Sequence, residues 1–415
     1  MKKLLAMVMV CMMVLSLTTA LALAEASETP ASIRFIMLEV YEPHVQEALV
    51  GFREQYPNIE VEVVAVPDIN VLKQTVLAAN QAGDDYDLMY VNHVDTLTYI
   101  KGEILHPIEE FVQADGVDYS GIVFESLLEP CVYDGQQYVV PATTDTRVLA
   151  INKDLFEKYG QQAPVTQEDM LKVAEALTND GNYGFVNSIT RHAYVPEYEQ
   201  GVFLRGNGGR LYEIQDGKAV DTIDTQVKRD YLKFNQDLLQ YMPGDSLSMN
   251  EDDGRKAFAS GNVGMYIWGP WEFTFLTELP FEYELITIPG GSVGSASTSG
   301  GYQLGIGSGS ENPRAAWELL KYLTVNPDMV ALLSGSGLPP SEAAYGYAPF
   351  NDSRYDIFKE QLKTSSLPQI PVANLSEVVE GFNVYWQDVL YNKISIDDAC
   401  VQAQETVQKL LDKVN

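Results

Sequence analysis

The chain reads as an α/β protein of two or three domains built on open, largely parallel sheets, and three observations lead there. Apolar strands alternate with helix-spaced segments from Ile33 to Val91, the pattern of a βαβαβ unit. A buried strand, Val263 to Trp268, follows a helix and runs straight into Gly-Pro-Trp, placing an aromatic at the strand's carboxyl end, where open α/β sheets bind ligands. The length, 415 residues, is more than twice the roughly 150 of a common domain.

Met1 to Ala24 read as a secretory signal. Lys2 and Lys3 form the charged start, Leu4 to Leu17 the apolar centre, and Ala22-Leu23-Ala24 the small-residue cleavage site. A membrane anchor is the competing reading, but no stop-transfer pattern follows and no later segment is apolar enough to span a bilayer. Cleavage leaves 391 residues beginning at Glu25, with 25 basic and 58 acidic side chains and a net charge of −33. Acids so numerous and scattered make a solvated surface, and without a basic stripe no nucleic-acid partner is expected. Cys11 falls within the signal and follows Met-Val, not a lipobox, so no lipid anchor is expected. Cys131 and Cys400 lie far apart in no metal-like spacing, open either to oxidation or to burial as thiols. His44, His93, His106 and His192 form no ligand pattern, so neither metal nor cofactor is expected.

In chain order, Ile33 to Leu38 is an apolar strand, and Pro43 opens a helix with Val45, Leu49 and Phe52 at helical spacing. Ile59 to Val66 alternates apolar and acidic residues, Val71 to Ala82 is a second helix, and Asp87 to Val91 a buried strand. Their ends point Glu39, Tyr41, Asn92 and His93 toward one rim. Tyr138 to Pro141 ends another strand, and Thr143 to Arg147 is a polar break carrying Asp145 and Arg147 before strand Val148 to Asn152. Thr166 with Asp169 resembles a capping box. Asp252 to Ala259 is helical, stopped by Gly261 and Asn262. Gly290 to Gly301 and Gly335 to Pro340 are flexible connections. Asn312 caps a helix that Pro313 opens, with Ala316, Leu319, Leu320 and Leu323 as its buried stripe, and Ser376 and Ser395 cap two closing helices.

Six signatures then appear in one order: Gly51 to Val61, Tyr86-Asp-Leu-Met89, Thr146 to Lys153, the stretch ending Gly269-Pro-Trp271, Gly300 to Ile306, and Asn312 to Leu323. On these the chain resembles the family 1 extracellular solute-binding proteins of ATP-driven importers, the maltose-binding-protein-like group, over nearly the whole mature chain. The resemblance implies a two-lobed periplasmic-binding-protein-like (type II) fold with discontinuous lobes. Residues 31–142 plus 291–338 form one lobe, 143–290 plus 339–415 the other, and a ligand is held in the cleft between them. It also implies a monomer that works with ABC transporter permease subunits, exported to the periplasm or the cell surface, with no catalytic residues.

Carbohydrate is the ligand class this chemistry favours, because a pyranose offers apolar faces to aromatic rings and an edge of hydroxyls to polar side chains. Trp271, Tyr41, Tyr302 and Trp386 are the candidate platforms, and Asp145, Arg147, Asn92 and Glu39 the polar partners. Trp271 leads, since the resemblance implies a stacking aromatic after this strand, with core packing as its alternative. Trp268, inside the strand, and Trp317, on an apolar helix, read as core. Relatives also take polyamines, phosphorylated polyols or iron; clustered tyrosines for iron and a phosphate nest are not evident in the sequence. A secreted glycoside hydrolase, with a carboxylate pair across a cleft, is the alternative from another class.

Overall fold

The computed structural model describes residues 30–189, 196–216, 218–335, 337–366, 372 and 374–414. The secretion signal, its cleavage site, Cys11 and His192 lie outside the described residues.

The first half is the expected βαβαβ unit: β1 (Ala31–Leu38), α1 (Glu42–Gln55), β2 (Ile59–Val66), α2 (Ile69–Ala82) and β3 (Leu88–Asn92). β1 lies between β2 and β3 and is parallel to both. Pro43 sits in the first turn of α1, which turns Val45, Ala48, Leu49 and Phe52 inward. The chain then reaches β4 (Val139–Thr146), turns at Arg147, and continues as β5 (Val148–Asn152). The run Thr143 to Thr146 is expected as a break, but it is strand. Its backbone pairs with Ser299 to Tyr302, and that pairing buries Thr143, Thr144 and Thr146 despite their polarity.

α3 (Gln167–Leu177) starts at Thr166, where both bonds of the capping box with Asp169 are made. β6 (Tyr183–Val186), α4 (Gln226–Leu239), α5 (Glu251–Ala259), β7 (Val263–Trp268) and β8 (Tyr283–Ile286) complete a second sheet of order β8-β5-β7-β6. All six residues of β7 are buried. Gly261 (φ 85°) makes the left-handed turn between α5 and β7. β9 (Ser297–Gly307) returns to the first sheet, antiparallel to β3 and β4. The Gly/Ser-rich connection therefore ends at Ala296, five residues earlier than composition suggests, because Ser297 and Thr298 pair with Ser365 and Ser366 and β4 takes over as partner from Ser299.

α6 (Pro313–Val325) opens on Pro313, but Asn312 makes no side-chain cap. Its amide Nδ2 instead donates to the Ser32 carbonyl at 3.2 Å. α7 (Leu375–Leu390) starts one residue before Ser376, so Ser376 lies inside the helix and is no cap; the N-cap position falls to Asn374. α8 (Ile396–Leu411) is capped by Ser395, which accepts from the Asp398 N–H.

Two large apolar cores result. One gathers residues of β1 to β3 with α1 and α6, including Trp317. The other gathers β5, β7, α4, α7 and α8, including Trp386. A third cluster, around Phe258 and Trp268, packs Val330, Ala331 and Leu338 with Tyr345 and Phe350. The chain passes between the halves from β4 into β5, from β8 into β9, and near Leu338, whose backbone exchanges hydrogen bonds of 2.7 and 2.8 Å with Thr144. Cys131 and Cys400 are buried free thiols.

Candidate ligand-binding site

β7 carries the chain out of the second core, and Gly269-Pro270 turns it sharply. The Trp271 ring folds back over that turn. A Cβ on Gly269 would come within 2.2 Å of the indole, so only glycine fits beneath it. Trp271 is half-buried and does not simply project from the strand end, as position alone suggests. One neighbour is Arg147, whose guanidinium carbon lies 4.9 Å from the indole centre. The same carbon lies 4.8 Å from the Tyr198 ring, so the cation touches two aromatics.

Arg147 is the hub of this wall. It is buried, with Nη1 donating to Asp145 and Nε donating to Glu199 at 3.2 Å. Asp145 also accepts from the Gly300 N–H at 3.0 Å. Burial disfavours the guanidinium charge, but the carboxylates of Asp145 and Glu199 more than compensate and hold it protonated. Burial pushes the Glu199 carboxyl up to about 7, against the pull of Arg147. Beside this group Glu272, 1% exposed, accepts from Arg255 Nε at 2.6 Å and from the Tyr266 hydroxyl at 2.9 Å. Arg255 reaches Asp252 as well.

The first half contributes an aromatic wall. The Tyr41 and Tyr90 rings stack at 5.3 Å, and Tyr302 meets Tyr41 edge-on at 5.6 Å. Burial raises all three phenols, Tyr41 to about 12, so they remain protonated. The tyrosine cluster that the sequence does not reveal is thus present, as three protonated rings packed against one another. Among the described residues no group of three or more His, Cys, Asp or Glu is arranged to hold a metal. None of the described helices is long and apolar enough to cross a membrane.

The structure therefore brings Trp271, Arg147 and Asp145 together, and joins Tyr41 to Tyr302. Asn92 lies opposite Tyr302 in the pairing of β3 with β9, but its side-chain oxygen caps the next turn by accepting from the Val94 N–H at 3.2 Å. Glu39 is exposed at the rim, in the short turn after β1. Trp386 is a correction: it has 0% exposure inside the second core, because α7 places Phe382, Trp386, Val389 and Leu390 on its buried face. Tyr198, Glu199 and Glu272 join this candidate site and are residues that sequence reasoning misses. Glu272 had a local signal, since it directly follows the Trp271 turn. Tyr198 and Glu199 come from the π-helical turn Pro196–Gln200, about fifty positions from Arg147, with no periodicity to announce them.

Residues 38–329 match the sequence profile described as "Bacterial extracellular solute-binding protein". A multiple sugar-binding protein of Streptococcus mutans is 21% identical over 307 residues, 71% of either chain. A solved solute-binding protein from Thermotoga lettingae, bound with alpha-D-tagatose, is 26% identical with a TM-score of 0.72, covering 92% of this chain and 100% of its own. The sugar-binding protein MalE of Xanthomonas citri superposes with a TM-score of 0.82 at 23% identity over 92% of this chain and 98% of its own, and so shows the two-lobed fold. With the profile spanning more than two thirds of its length, the chain belongs to the bacterial extracellular solute-binding protein family.

Proposed function

We propose that this protein is the extracytoplasmic binding component of an ABC importer, which takes a carbohydrate, an oligosaccharide, into the cleft between its lobes and delivers it to the membrane permease. The observation that carries the reading is the Trp271 platform beside Asp145 and Arg147, an apolar ring next to fixed acceptors and donors. Tyr302, half-buried, supplies aromatic surface on the opposing lobe; Tyr41, expected as a second platform, is buried in the first core and backs Tyr302 instead, and Glu39 and Asn92 form the polar rim. The division of the core supports lobes of 31–142 plus 291–338 and 143–290 plus 339–415, with closure about Thr143, Gly290 and Pro339. The protein acts as a monomer without nucleic acid, is exported with Glu25 at its start, and performs no catalysis.

Acids outnumber bases around the site, with Asp145, Glu199, Glu251, Asp252 and Glu272 against Arg147 and Arg255. This surplus favours a cationic solute such as a polyamine as the second reading. A thermal-shift screen separates the two. A ligand at 100 times its dissociation constant adds about 2.7 kcal/mol to the folded state. A saccharide in the panel should raise the melting temperature while spermidine does not, and the saccharide should be recovered intact. The reverse response overturns the carbohydrate reading, and a cleaved saccharide overturns the absence of catalysis.

A further inference from the structure

We propose that His93, Val94 and Tyr198 form a latch at the base of the cleft that draws the two halves together through protein contacts alone. His93 and Val94 directly follow β3, whose Leu88 to Val91 belong to the first core. Tyr198 belongs to the other half: its turn leads into the helix Gly201–Arg205, whose Val202, Phe203 and Leu204 lie in the second core. The His93 imidazole Nε2 and the Tyr198 hydroxyl are 2.5 Å apart, and His93 Nδ1 is 3.0 Å from the Gly301 carbonyl oxygen. A carbonyl can only accept, so Nδ1 carries the proton and Nε2 accepts from the tyrosine hydroxyl. Burial holds His93 below the ordinary imidazole range, which keeps this neutral form.

Tyr198 is held from both halves: the Thr298 hydroxyl, on β9 of the first sheet, donates to the Tyr198 carbonyl at 2.7 Å, and the Tyr198 ring rests on Arg147. A Cβ on Gly300 would lie 3.3 Å from both the His93 and the Tyr198 rings and 3.0 Å from Asp145, so the residues converge on one glycine. Val94 adds a second, chemically independent contact, because it packs against the apolar core of the opposite half. Hydrogen bond and apolar contact both bridge the halves, so both favour the state in which the halves are together. A two-state equilibrium moves by the difference in contacts between its states. The latch therefore pre-populates the closed form, and it does so whichever solute the cleft takes.

Small-angle scattering of protein stripped of ligand by unfolding, dialysis and refolding tests this. The wild type should match the compact arrangement. Tyr198→Phe, which keeps the ring on Arg147 and removes only the donor, should shift the closed-to-open ratio about fivefold toward open. Tyr198→Phe combined with Val94→Asp should open further and give a clearly larger radius of gyration. Circular dichroism checks that each variant folds, and Val94→Ala replaces Val94→Asp if the aspartate prevents folding. A wild type that scatters as an open molecule, or a folded double variant whose profile superimposes on it, overturns the latch.

Discussion

The two walls of the site are built by different physics. The first-half wall is neutral: Tyr41, Tyr90 and Tyr302 pack ring against ring, and the Tyr90 hydroxyl is buried with no hydrogen-bond partner among the described residues. The second-half wall is ionic: Arg147 is shared by Asp145 and Glu199, and Arg255 by Glu272 and Asp252. Area burial dominates in one and mutual charge compensation in the other. An aromatic wall loses roughly what a substitution removes, whereas an ionic wall loses the balance of every group left behind.

The largest expected effect tests that interdependence. Arg147→Ala leaves the buried Glu199 and the half-buried Asp145 without their shared cation and should cost about 3–5 kcal/mol in chemical denaturation. A cost near that of an exposed ion pair, under about 1 kcal/mol, would show the second wall to be additive after all.

Two tyrosines, one from each wall, sharpen the contrast. Tyr266→Phe removes the 2.9 Å bond to the Glu272 carboxylate and should cost about 1.5–3 kcal/mol. Tyr90→Phe removes a hydroxyl that bonds nothing among the described residues and should stay within about 0.5 kcal/mol of the wild type, or gain stability. Equal costs would erase the distinction.

The smallest effect is a pH slope. Burial raises the Glu199 carboxyl from its ordinary 4.5 to about 7, so within that window the folded chain holds a proton the unfolded chain has released. Stability due to this group is therefore present below 4.5 and falls as pH rises toward 7. The wild type should lose stability relative to Glu199→Gln across the window, and parallel denaturation curves would contradict it.

These differences also mark what was legible in the chain. β2, β5 and β7 match their expected limits residue for residue, because period-2 alternation and short apolar runs bounded by turn residues are local signals. The polar end of β4 was not legible, since it is strand only through β9, over 150 positions away. The Arg147–Glu199 pair failed for the same reason of distance. Trp386 is different, because Phe382, Trp386 and Leu390 recur at four-residue spacing and that stripe marks core. Trp271 has no such stripe, and its turn sets it apart.

That contrast between two tryptophans supplies the most direct test of a ligand platform at the end of β7. Trp386→Ala, emptying a fully buried site, should lose about 3–5 kcal/mol of stability and retain binding of the saccharide found in the thermal screen whenever it is folded. Trp271→Ala should give up only about 0.5–1 kcal/mol of stability through its contact with Arg147. Its saccharide affinity, measured by titration calorimetry, should fall by at least ~30-fold, or ~2 kcal/mol. A Trp271→Ala protein that melts far lower yet binds the saccharide like the wild type would make Trp271 a core residue and remove the platform on which the proposed function stands.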